Sequence, residues 1–148
     1  MNITKHFTIE EMTYSATALR LGIDNSLPSS LMPNVLCMCK ALEIIRTHYA
    51  QKPIIVTSCY RGVELNKAIG GSSNSFHMKA LAVDFHIPGI SILDLCLYLP
   101  SIIPSFDQII YEFGPTGWAH LGLGNTRGEL LTATKLQGKT IYSKGISR

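Results

Sequence analysis

The sequence predicts an α+β fold, a small antiparallel sheet with helices packed on one side. Three observations predict it. Helical periodicity is concentrated in the first fifty residues, and β-branched runs cluster after them. The last two strong strand candidates are separated by a short Gly/Pro turn and no crossover helix. The 148 residues, 46% hydrophobic and 16% charged, suit one compact domain spanning 1–148.

The elements follow in order. Thr8-Ile9-Glu10-Glu11 has the form of a capping box, so a short helix starts near Ile9, and Gly22 closes the segment after it. A longer helix runs from Pro33 to Tyr49, with Met32, Val35, Leu36, Cys39, Leu42, Ile45 and Tyr49 on its apolar face. Ile54–Ser58 is a β-branched run and reads as a buried strand. A short helix over Val63–Ile69 ends at Gly70-Gly71. Ala80–Ile87 is a second strand. Ser91 opens a helix over Ile92–Leu99 that Pro100 ends. Asp107–Phe113 and Trp118–Leu121 are two strands joined by Gly114-Pro115-Thr116-Gly117. The polar tail is expected to be irregular or loosely stranded.

Composition excludes several function classes. A net charge of +3 without a Lys/Arg run gives no nucleic-acid footprint. No apolar stretch approaches the ~18 residues of a membrane span. The opening MNITKHFTIEEM has no apolar core of a signal peptide, so cytoplasmic synthesis is expected. Cys37, Cys39, Cys59 and Cys96 are expected to be free, buried thiols, and the C-x-C spacing points two side chains away from each other on a helix.

The informative segment is Ser75-Phe76-His77-Met78-Lys79-Ala80-Leu81-Ala82-Val83-Asp84, followed by Gly117-Trp118-Ala119-His120-Leu121. Two His and one Asp could hold a zinc ion and leave a position open for water. Spacing alone leaves the other reading standing, in which these are hydrogen-bonded structural residues.

The pattern Ser75-x-His77-x6-Asp84 with a later Trp118-x-His120 resembles the zinc D-Ala-D-Ala carboxypeptidase family, whose motif runs S-x-H-x-x-G-x-A-x-D and then W-x-H. Ser58-Cys59-Tyr60-Arg61 and Gly70-Gly71 resemble the strand end and glycine turn that precede it. The resemblance covers roughly Ile54–Gly122. It implies the fold shared with the Hedgehog signalling domain and Zn2+ held by His77, Asp84 and His120. The implied substrate is a peptidoglycan peptide, met by a bacterial or phage cell-wall peptidase; apart from the resemblance, a monomer is expected. It also implies that Arg61 contacts the substrate or the oxyanion and that Ser75 and Tyr60 contact substrate. Trp118 is either a cleft wall or core.

Two positions depart from the motif. Ala80 stands where the family usually has Gly, and Gly117 stands where many members carry an acid. The missing acid leaves a non-catalytic zinc-containing binding module of the same fold as the alternative. It also makes Glu112 the best candidate base. If Glu112 pairs opposite Trp118, then Ile110 falls opposite His120, and all four side chains share one face. The competing reading for Glu112 is a solvated strand edge. His86 shares a face with Asp84 by the period of two and is a candidate partner of a ligand. His6 and His48 read as surface.

Overall fold

The computed structural model describes residues 1–148. Helices α1 (Ile9–Thr13), α2 (Ala16–Leu21) and α3 (Met32–His48) come first. Strand β1 (Ile55–Ser58), helix α4 (Val63–Ala68), strand β2 (Ala82–His86) and helix α5 (Ile92–Ile102) follow. The chain ends in β3 (Gln108–Glu112), β4 (Trp118–Gly122), β5 (Glu129–Leu136) and β6 (Lys139–Lys144). No helix is long and apolar enough to cross a membrane.

The capping box is present: Thr8 Oγ1 accepts from the Glu11 N–H, and the Glu11 carboxylate accepts from the Thr8 N–H. In α3, Val35, Cys39, Leu42 and Ile45 are buried as the periodicity predicts, and Met38 and Ala41 join them. Leu36 lies at the border and faces solvent. Pro100 does not end α5, which continues to Ile102. In this last turn the proline forfeits a single N–H bond, and the apolar side chains on either side keep the helix on the core.

The sheet has the order β1-β2-β4-β3-β5-β6 and is antiparallel except where β5 runs parallel to β3. This corrects the reading of the tail. Residues 129–144 form a regular hairpin whose turn residues Gln137 and Gly138 both have positive φ, 50° and 78°, the geometry of a two-residue hairpin turn. Both hairpin strands are largely solvated, so the apolar alternation that marks a half-buried strand is weak.

The sheet has two unlike faces. Val83, Phe85, Ile109, Ala119 and Leu121 point back into a core shared with α3 and α5. Their even-numbered neighbours point forward. The register pairs Asp84 with His120, His120 with Ile110, and Trp118 with Glu112. The predicted register of β3 on β4 is therefore the observed one, and the face turned away from α3 and α5 carries the candidate site.

Candidate metal centre

His77 sits on a 3-10 turn, Phe76–Lys79, capped by Ser75, whose Oγ accepts the His77 N–H at 3.3 Å. The turn ends at Ala80, which is fully buried with φ 54° and ψ 30°. This is the left-handed conformation that a glycine takes at low cost, so the alanine keeps the turn the motif requires. Two further bonds fix His77. The Arg61 N–H donates to the His77 carbonyl at 3.0 Å, and His77 Nδ1 lies 2.8 Å from the Cys59 carbonyl. A carbonyl only accepts, so Nδ1 carries the proton and Nε2 is left with a free lone pair.

That Nε2 lies 3.3 Å from Asp84 Oδ2, and His120 Nδ1 lies 2.8 Å from Asp84 Oδ1. The ligand atoms of His77, Asp84 and His120 fall within 4.8 Å of one another. Zinc bonds of 2.0–2.1 Å arranged tetrahedrally put ligand atoms about 3.4 Å apart. The His77–Asp84 separation already matches, and the donor set of two imidazoles and one carboxylate suits zinc with a position left for water. Burial alone would raise the Asp84 pKa. The facing imidazoles of His77 and His120 outweigh it and hold the carboxyl well below its ordinary range. Burial would likewise lower His120, but its hydrogen bond to Asp84 and the charges of Asp84 and Glu112 push it above its ordinary value. Asp84 therefore stays ionised between two imidazoles, an arrangement in which a cation can take the place of their protons. The buried thiols do not compete: burial pushes Cys39 and Cys96 up to about 12, and Cys37, expected to be buried, is exposed.

Glu112 enters from β3. Its Oε1 is 3.5 Å from His120 Nδ1, and its side chain is 13% exposed. Burial, then the charge of Asp84, pushes it up to about 7, while His120, the Trp118 indole and Arg61 oppose the rise. The indole N–H is near enough to act on Glu112 but is not aligned into a hydrogen bond. Gly117 has a steric reason: a Cβ there would lie 1.7 Å from the Glu112 carbonyl oxygen. An acid at 117 is incompatible with this turn, and the carboxylate comes from the facing strand.

Arg61 lines the same cleft. Its Nη2 donates to Ser75 Oγ at 3.2 Å, while its Nε is buried without a partner. Burial lowers its pKa, and Asp84 and Glu112 oppose that. Ser75, His77, Asp84, Glu112, Trp118 and His120 line this cleft of about 430 Å3 with Arg61. Tyr60 does not. It is 8% exposed and packs in the core, beneath the residue that does reach the cleft. His86 shares the face of Asp84 as predicted but makes no hydrogen bond to a ligand, and the Cys59 carbonyl takes that role for His77. His48 is exposed; His6 is half-buried and bonds Glu43 on α3 at 2.8 Å.

Two features escaped the sequence reading. Asn25 is 8% exposed and brackets Arg61. Its Nδ2 donates to the Tyr60 and Thr13 carbonyls, and its Oδ1 accepts from the Gly62 N–H. Nothing in its sequence neighbourhood signals that role. Tyr142 of β6 also lines the cleft. The Thr/Ile/Tyr content after Gln137-Gly138 was the available signal.

A family model described as Peptidase M15 matches residues 5–120, a stretch that contains every residue of the cluster and ends on His120. No curated protein matches the chain.

Proposed function

The chain belongs to the peptidase M15 family, and from that premise we propose that it hydrolyses peptide bonds in peptidoglycan stem peptides or cross-links, with zinc held by His77, Asp84 and His120. The observation that carries the proposal is the largely enclosed Glu112 carboxylate, 3.5 Å from His120 at the candidate metal cluster. It supplies the acid absent at 117, the absence that favoured a binding module.

When bound, zinc supplies Lewis acidity, lowering the pKa of a water toward ~7 and polarising a carbonyl. Glu112 takes the proton of the attacking water and passes it to the leaving amine nitrogen, a role suited to a carboxylate placed beside the ligand cluster. Arg61 donates to the carbonyl oxygen as negative charge develops there, with Ser75 steadying its Nη2. Trp118 walls the cleft beside the scissile bond. Metal ligands, base and arginine all come from one chain, so a monomer suffices.

The test is zinc content together with release of stem-peptide fragments from purified peptidoglycan, beside a His120→Ala control. Stoichiometric zinc with no cleavage of any wall peptide would end the enzyme reading.

A further inference from the structure

A second cavity of about 460 Å3 adjoins the metal cluster on the far side of the main cleft. Thr57, Ser58, His86, Thr116 and Gly117 line it, and it shares Asp84 and Trp118 with the cleft. The two hollows therefore meet at Trp118 and at the single ligand Asp84, and together they outline a groove. We propose that the second cavity is the subsite for the substrate chain on one side of the scissile bond, so that the enzyme cuts internal peptide bonds and does not trim a terminal residue. This rests on the peptidase reading above.

The sheet geometry gives the groove its direction. The main cleft reaches along the strands to Gln108 and Gly122, a pair two residues before the Ile110–His120 pair that carries the metal ligand. The second cavity lies at the opposite strand ends, around His86 and the turn before Trp118. Two residues of strand advance ~6.6 Å, so the rows from Gln108 to Glu112 span ~13 Å, about four residues of extended peptide. The metal row lies in the middle of that span. A bulge in β1 shapes the second cavity: Val56 pairs with Phe85 and Ser58 with Asp84, which makes Thr57 the extra residue. The bulge brings Ser58 opposite the ligand Asp84, the kind of re-aiming that bulges provide beside active sites.

Charge supports the same conclusion. An enzyme that removes a terminal residue must hold a free carboxylate just past the scissile bond, and a fixed cation is the usual means. No Arg or Lys lines the second cavity. In the main cleft, Arg127 is already engaged by Asp107, at 2.8 and 3.0 Å, and lies 3.8 Å from Glu129. Arg61 lines only the main cleft, and in the proposed mechanism its guanidinium serves the reacting carbonyl. The side chains of Ser58, His86 and Thr116 make no hydrogen bonds within the protein, which suits them to a peptide backbone entering the cavity.

The experiment uses the zinc-loaded protein with two probes released from peptidoglycan by a muramidase: the monomeric pentapeptide stem and the cross-linked dimer. Products are identified by mass spectrometry. Trp118, the single tryptophan of the chain, reports binding by its fluorescence. Internal cleavage is expected at least tenfold faster, by kcat/KM, than loss of the terminal D-Ala. Thr116→Tyr, which fills the second cavity, is expected to bring that ratio toward one. Release of the single terminal residue as the faster reaction overturns the proposal. If neither probe is cut, the peptidase reading itself fails, and fluorescence still decides the groove. Binding of the dimer at least tenfold tighter than the stem, and weakened by Thr116→Tyr, supports it; equal affinities overturn it.

Discussion

Glu112 Oε1 stands 3.5 Å from His120 Nδ1, the same nitrogen that meets Asp84 Oδ1 at 2.8 Å. A carboxylate there can exchange a proton at the metal and is too buried to be a solvated strand edge. Glu112→Gln keeps the shape and removes the base. It is expected to lower kcat by about 10^2 to 10^4-fold with zinc stoichiometry unchanged. Loss of zinc along with activity would make Glu112 a ligand, and unaltered turnover would remove it as the base.

The same residue gives the metal-free protein a pH signature. Glu112 rises from an ordinary 4.5 to about 7 in the fold, so the folded state holds a proton that the unfolded chain has released. Stability therefore falls as pH rises across that window. Metal-free Glu112→Gln is expected to melt above wild type at pH 8 and with it at pH 4. A nearby dication favours the charged carboxylate, so added zinc shrinks the difference at pH 8. Thermal melts at the two pH values, with and without chelator, check both statements.

Asp84 is the shared partner of both histidines, and the site is a cation hole because of it. Asp84→Asn removes the charge and is expected to abolish zinc binding. Zinc at a hundredfold excess over its Kd stabilises a folded protein by about 2.7 kcal/mol. A chelator should then lower the Tm of wild type and leave that of Asp84→Asn unmoved. A chelator-sensitive variant would show that the metal is held elsewhere.

The sequence exposed the His77, Asp84 and His120 cluster and the face of Glu112 for different reasons. His77, Asp84 and His120 occupy positions in a spaced motif, and the β3–β4 register follows from one short turn and the period of two. The hairpin 129–144 was not legible because β6 is a solvated edge strand and β5 buries only Ala133 fully, so the apolar alternation that betrays a strand is weak. Tyr60 was misplaced for a related reason. The motif marks the segment, but the chain leaving β1 turns Tyr60 inward and Arg61 outward, and only packing decides which side chain reaches the cleft. Asn25 was invisible because its partners are backbone groups distant in sequence.

Asn25 provides a test of action at a distance from the cleft. Its amide ties the residues on both sides of Arg61 and bonds to none of His77, Asp84 and His120. Asn25→Ala leaves buried backbone groups unpaired and is expected to cost about 1–3 kcal/mol of stability. It should also lower kcat/KM with zinc content unchanged, since the arginine loses its fixed backbone. A melting shift with normal kcat/KM would make Asn25 a purely structural residue.

Ala80 sets two opposed effects against each other. Its left-handed φ of 54° costs a non-glycine residue roughly 1–2 kcal/mol, which Ala80→Gly would relieve. Against that relief stand the buried methyl group, worth about 0.8 kcal/mol, and the greater freedom of glycine in the unfolded chain, about 0.4–1 kcal/mol. The two sides nearly cancel, so Ala80→Gly is expected to move stability by less than about 1 kcal/mol and to keep zinc. Ala80→Val has no such balance. A β-branched side chain is a marked outlier in that conformation, and Ala80 is fully enclosed by the core. Since the Ala80 N–H closes the turn onto the His77 and Phe76 carbonyls, Ala80→Val should displace His77 and lose zinc as well as stability. Paired melts and zinc stoichiometry of the two variants check this, and a valine variant that kept both would show that the turn does not set the ligand.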